Sequence, residues 1–199
     1  MKSIPCERCS KLAPAHDLTH FTTEAGVLLL CTQCFNADVA QRAGIMDFDN
    51  HPLDPISITA ADGVIHEFHF QTRLLGAMVT LEAYEIKGGE PSGYQFQLIG
   101  EPGEDRFVQL GRLVERIRST LATNYLEDGK YGLQIKDMEV KGKIEADMSD
   151  EADVFAPRLP MLVIDGRDVS WDEFGKMLMT FEGFQFKLEI VDKSDDLEI

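Results

Sequence analysis

The chain has 199 residues, of which 44% are apolar and 27% charged. These are the proportions of a folded domain, and they exclude a disordered or collagen-like chain. Nineteen Lys and Arg stand against 35 Asp and Glu, a formal net charge of −16, which repels a phosphate backbone and argues against direct nucleic-acid binding.

No apolar run approaches the ~20 residues needed to cross a bilayer, so no membrane association is expected. The opening MKSIPCERC lacks the apolar segment of a signal peptide. The expected compartment is the cytoplasm, where thiols stay reduced and clustered cysteines serve as metal ligands more often than as disulfides.

All four cysteines lie in the first 50 residues. Cys6-Glu-Arg-Cys9 is followed after 21 residues by Cys31-Thr-Gln-Cys34. Each C-x2-C turn aims two sulfurs at one ion, and two such turns complete the tetrahedral shell that zinc prefers. The expected cofactor is one structural Zn2+ held by Cys6, Cys9, Cys31 and Cys34. A closed thiolate shell has no open position for substrate water, so it is structural and not catalytic. His16 and His20 fall between the pairs and are the alternative ligands, with an exposed polar role as their default.

Val27 to Leu30 reads as a strand running into the second pair. Phe35, Val39 and Ala43 share one face of a helix that Gly44 stops. Knuckle, hairpin and a helix carrying the last ligands resemble the treble-clef class of zinc modules over residues 5–45. The segments LCTQCFNADVAQRAG, GYQFQLIG and VSWDEFGKMLMTFEGFQFKLEI extend a resemblance over the whole chain, to an uncharacterised bacterial family of zinc-knuckle proteins. That resemblance implies a shared architecture and carries no activity and no catalytic residue.

Residues 47–55 (DFDNHPLDP) form a turn-rich connector. Residues 1–50 carry a net charge of −2 and the remaining 149 a net −14. The expected division is a zinc-binding treble-clef-like module over 1–50, an acidic α+β domain over 51–192 and a frayed acidic tail over 193–199.

Ile56 to Thr59 alternates, and Asp62-Gly63 is a two-residue hairpin signal. His66, Phe68 and Phe70 share one strand face. Strands continue over Leu74–Ile86 and Tyr94–Ile99. Phe107, Leu110, Val114, Ile117, Leu121 and Tyr125 predict one long helix over Asp105–Asp128, with Arg106, Arg112, Arg116 and Arg118 on its outer face. Arg112, Arg116 and Arg118 are candidate partner-binding residues.

Strands resume over Leu133–Ile144 and Leu159–Ile164, and Asp165-Gly166 predicts a second hairpin turn. Glu145 to Asp153 reads as a solvated acidic loop. Ser170-Trp-Asp-Glu173 is a capping box opening a short helix to about Phe181. Phe184, Phe186, Leu188 and Ile190 alternate as a last strand. The fold expected is α+β: the treble-clef zinc module, then a mostly antiparallel sheet with one long helix and one short C-terminal helix.

His66-Glu-Phe-His69 lacks the i, i+4 spacing of a helical metalloprotease motif, and on a strand its histidines point to opposite faces. Neither a phosphate-binding glycine loop nor a nucleophile elbow occurs. The leading expectation is therefore a non-catalytic zinc protein that acts as an adaptor or regulator through a protein partner. A nucleic-acid accessory protein, or an acidic mimic of nucleic acid, is the second reading. An enzyme built from residues such as His66, His69, Tyr94, Asp165 and Asp168 is the third. A homodimer is compatible with exposed sheet edges.

Overall fold

The computed structural model describes residues 3–23, 26–130, 132–146, 159–192 and 194–195. The fold is α+β, with antiparallel strand pairs throughout and three α-helices among the described residues. None of these helices is long and apolar enough to cross a membrane. The acidic loop expected over 145–153 lies outside the described residues from 147 onward, as does most of the expected tail.

Strands β1 (Ser3–Pro5) and β2 (Leu12–Pro14) pair across the first knuckle. A 3-10 turn, Ala15–Asp17, leads into the hairpin of β3 (Leu18–Thr23) and β4 (Gly26–Cys31). Helix α1 (Thr32–Ala43) follows at once. Gly44 ends it in the left-handed region at φ 69°, and Ile45 N–H donates to Ala40 O at 2.9 Å. Glycine is the residue that adopts this cap without strain.

A four-stranded sheet forms the middle of the molecule, in the order β5 (Ile56–Thr59), β6 (Ile65–Leu75), β7 (Met78–Lys87), β8 (Glu90–Gly100). The strand expected over Leu74–Ile86 is in fact divided. Leu75 faces Met78 across a two-residue turn in which Gly76 has φ 65°. A single glycine in an otherwise apolar run concealed this hairpin.

Helix α2 (Arg106–Leu121) lies against the sheet. Asp105 caps it, accepting from Phe107 N–H at 2.7 Å and Val108 N–H at 3.3 Å. Phe68, Leu81, Ala83, Leu113, Ile117 and Leu121 are the buried heart of this layer. The helix is shorter than its periodicity predicts, and its buried phase differs. Gln109, Leu113, Ile117 and Leu121 face inward at intervals of four, whereas Phe107 is 76% exposed. Arg106, expected on the outer face, has an 11% exposed side chain that reaches Asp49 Oδ1 at 3.2 Å. Tyr125 lies beyond the helix, because the chain turns into β9 (Leu126–Gly129) and pairs back with β10 (Gly132–Ile135).

The last unit holds the sheet β11 (Lys143–Ala146), β12 (Pro160–Ile164), β13 (Arg167–Ser170). The single strand expected over Leu133–Ile144 is therefore two short strands in two different sheets. Helix α3 (Trp171–Leu178) opens with the predicted capping box, Ser170 and Glu173 exchanging bonds, and ends in a 3-10 turn at Met179–Phe181. Of its apolar residues, Met177 is 4% exposed, whereas Trp171 and Leu178 stay 47% and 44% exposed. The strand expected over Phe184–Ile190 does not form; that stretch is unpaired and exposed.

The β12–β13 turn locks this unit to the sheet. Asp165 (φ 51°) accepts from Tyr125 N–H at 2.8 Å and Leu126 N–H at 2.7 Å, and Lys87 Nζ donates to Gly166 O at 2.7 Å. Gly166 has φ 67°, and a Cβ there would stand 2.8 Å from Tyr94 Cδ2. Gly166→Ala is thus expected to cost about 2 kcal/mol, against about 1 for Gly63→Ala, where φ is positive but space is open. Paired thermal melts of the two variants check the ranking.

Candidate metal centre

The four cysteines are gathered by three local structures. Cys6 leaves β1 and is buried, its N–H donating to Lys11 O at 2.9 Å, while Ser10 N–H returns to Cys6 O at 2.8 Å. Ser10 takes φ 61° to close this knuckle and brings Cys9 round to face Cys6. Cys31 ends β4 and is the N-cap of α1, and Cys34 sits in the first turn of that helix. A strand that runs directly into a helix brings the second pair onto the first.

All four sulfurs lie within 4.8 Å of one another. Cys9 Sγ and Cys31 Sγ are 3.8 Å apart, and Cys31 N–H points at Cys6 Sγ at 3.3 Å. A tetrahedron with Zn–S bonds of ~2.3 Å has edges of about 3.8 Å, so the donor set fits such an ion in both chemistry and spacing. Among the described residues this is the one group of three or more such donors close enough to share a metal. His16 and His20 do not join it. The His16 ring packs edge-on against Tyr84 at 5.7 Å, and His20 is exposed on β3.

The electrostatics call for a cation. Burial pushes the Cys6 thiol up, but N–H groups of Cys31, Cys9 and Arg8 outweigh it and bring its pKa down to about 6. Burial and the neighbouring sulfurs push Cys34 well above the ordinary thiol range, and burial raises Cys31. Thus Cys6 forms a thiolate readily, whereas Cys31 and Cys34 need a positive ion to follow.

A charged brace that the sequence reading did not single out surrounds the cluster. Asp38, 9% exposed in its side chain, takes Arg8 on one carboxylate oxygen and Arg42 Nε at 2.6 Å on the other. Arg8 also donates to Cys34 O at 3.3 Å, and Arg42 lies 4.9 Å over the Phe21 ring. The bond from Arg8 holds the Asp38 carboxyl below its usual range, against the opposing effect of burial. The i, i+4 spacing of Asp38 and Arg42 was the available signal. Replacing Asp38 with Ala strands two arginines beside the ligand loops. The expected loss is about 1–3 kcal/mol, read as a lower midpoint in denaturant titration of the metal-loaded chain.

The ligand-bearing segment straddles the free edge of β6. On one side Asn36 of α1 donates to Thr72 O at 2.8 Å and accepts from Leu74 N–H at 2.9 Å. On the other, Gln71 Nε2 donates to Thr32 Oγ1 at 2.8 Å and Asp17 Oδ1 at 3.1 Å. A cleft of about 250 Å³ remains beside Cys31, with Thr32, Asn36, Gln71 and Arg106 among its lining.

The other candidates are dispersed. Arg112 pairs with Glu104, Arg116 donates to Gln97 O at 3.0 Å and Ser194 O at 3.2 Å, and Arg118 is exposed. His66 Nδ1 meets Glu85 Oε1 at 2.8 Å, and Glu85 Oε2 accepts from Tyr94 N–H at 2.9 Å. His69 instead reaches Glu67 at 3.0 Å, and Asp168 lies on β13. His66, Glu85, Tyr94 and the Asp165 turn therefore meet at the joint between the two sheets, with both Glu85 oxygens already engaged.

The chain matches three families in succession: Domain of unknown function (DUF7685) over residues 5–46, Domain of unknown function (DUF7686) over 49–122 and Domain of unknown function (DUF7713) over 125–195. No curated protein and no solved structure matches it.

Proposed function

We propose that this chain is a non-catalytic zinc protein that docks other proteins, with one Zn2+ bound by Cys6, Cys9, Cys31 and Cys34 as a structural brace. The observation that carries the reading is the all-thiol donor set within 4.8 Å. Four thiolates fill a tetrahedral shell and leave no position at which an ion could activate water. The metal's contribution is then to fold the knuckles and α1 and to hold them on the β6 edge. Arg118, with Arg112 and Arg116 behind their intrachain contacts, is the cationic surface proposed to meet a partner.

The charged cluster at the sheet joint supports this reading over an enzyme. His66, Glu85 and Asp165 are bound to one another's neighbours and to backbone N–H groups, which is the pattern of a structural joint. The test is elemental analysis of protein purified without chelator, followed by reconstitution of partner binding from purified components. One zinc per chain, and a partner bound by the intact chain but not by Arg112→Glu/Arg118→Glu, is the expected result. Iron with redox cycling of the thiols, or a partner indifferent to the two arginine substitutions, would overturn it.

A further inference from the structure

The strand expected over Phe184–Ile190 has the sequence of a strand without a neighbour. Phe184, Phe186, Leu188 and Ile190 are 65%, 90%, 72% and 69% exposed. Their alternation puts Gln185, Lys187 and Glu189 on the opposite face, and Lys187 already meets Glu189 at 2.8 Å. The segment is held at both ends. Phe184 N–H donates to Phe181 O at 2.9 Å, and Arg116 takes the carbonyls of Ser194 and Asp195. It is thus presented by the fold, and it falls within the 125–195 family match.

The sheet β11–β12–β13 has a complementary vacancy. Among the described residues β11 pairs with β12 alone. Val169, Leu162 and Ile144 stand in register across the three strands and point to one face. Val169 is 1% exposed, Leu162 is partly buried, and Ile144 at the edge is 54% exposed. Among the described residues the core of this unit is therefore open on the β11 side, where one more apolar strand would close it.

We infer that residues 186–190 of a second copy of this chain add to β11 as an antiparallel fourth strand, so that two chains exchange strands about a twofold axis. One register satisfies both faces. With Leu188 opposite Ile144, Lys187 stands opposite Glu145, Glu189 opposite Lys143 and Phe186 opposite Ala146. A one-residue slip exchanges the faces. A two-residue slip sets Lys187 on Lys143 or Glu189 on Glu145, and like charges directly opposite are unfavourable. No parallel alignment satisfies both ion pairs, and the parallel one with Leu188 opposite Ile144 sets Lys187 on Lys143 and Glu189 on Glu145. The intrachain pairs Lys143–Glu145 at 2.6 Å and Lys187–Glu189 would each gain a cross-strand counterpart. A second copy is the occupant because it carries both halves of this complement, as an isologous interface requires. The inference does not depend on which metal the cysteines hold.

The experiment is sedimentation equilibrium of the full, metal-loaded chain with Lys187→Glu, Glu145→Lys and the pair combined. The expected result is a wild-type dimer, at least tenfold weaker dissociation constants for each single variant and recovery in the double variant. Lys187 is exposed and Glu145 partly exposed, and circular dichroism checks that each variant folds. In parallel, a tagged Ile144→Cys chain is mixed with an untagged Leu188→Cys chain under oxidation with zinc present. A disulfide joining the two chains is expected. A wild-type chain that stays monomeric through the micromolar range, or single variants that dimerise as wild type does, overturns the inference. So does an Ile144→Cys/Leu188→Cys chain that closes its disulfide only within itself.

Discussion

Changing Cys31 to Ser is expected to release the metal and unfold residues 3–46, which loosens the β6 edge they cover while the three sheets beyond stay folded. Cys31 is 6% exposed, ends β4 and caps α1, so its sulfur joins both halves of the ligand set. A hydroxyl in its place is a poor ligand for a soft site. The apolar cluster beneath the cysteines, which includes Leu30 and Phe35, is small and counts two of the cysteines among its own members. Metal binding to isolated zinc-finger peptides contributes on the order of 10–16 kcal/mol at neutral pH, and a module with so little core depends on a term of that size. Hydrogen exchange reports the result: protection disappears from β3, β4 and α1 and persists in α2 and β7. Equal protection in all five elements would show that the module folds without the ion. The same linkage fixes the pH response. Bound thiols are deprotonated, so protons compete with metal, and affinity falls as the pH falls. Cys6, at about 6, resists this competition longer than Cys31 and Cys34, which burial raises. A chelator titration repeated from pH 8 to pH 5 should release metal progressively more easily toward acid.

The four-cysteine cluster was legible because spacing alone points to it: two C-x2-C turns each bring a pair of sulfurs together. Helix α3 was legible for a similar reason, its capping box being a local hydrogen-bond pattern. Local sequence failed where tertiary contacts made the choice. The apolar stripe that predicts a helix to Asp128 is continued by Tyr125, but Asp165, forty residues away, captures the N–H groups of Tyr125 and Leu126 and turns the chain into β9. Phe107 has the right spacing for the core and the wrong direction: its neighbour Arg106 turns inward to Thr72 Oγ1 at 3.3 Å, and Phe107 is left 76% exposed. Phe184 to Ile190 has strand alternation, but alternation specifies a strand only when an edge is present to receive it. Asn36 carried no signal at all. A polar residue in mid-helix is ordinarily solvated, and only the edge of β6 turns it into a structural contact.

That contact gives the second large expected effect. Asn36 is 1% exposed and serves β6 as a neighbouring strand would, donating to Thr72 O and accepting from Leu74 N–H. Replacing it with Ala leaves a carbonyl and an N–H without partners beside Leu74, which is itself 0% exposed. Each such orphan costs about 1–3 kcal/mol, so the expected loss is about 2–4 kcal/mol, large against the whole stability of a domain this size. Asn36→Asp should be worse, although it keeps an acceptor for Leu74. It sets a carboxylate against the Thr72 carbonyl at a position 1% exposed, and a largely buried charge facing a carbonyl is costlier than a missing bond. The two failures differ from that of Cys31→Ser in one measurable respect. The sulfurs stay together, so zinc remains bound at one per chain while the melting temperature drops, and exchange rises at residues 70–75 and in α1 before it rises in β4. A chain that lost metal and β6 protection together on this substitution would show that the knuckles and the sheet fold as one unit. Retention of metal with a loosened edge would show that the ion builds the module and the Asn36 amide fastens it to the sheet.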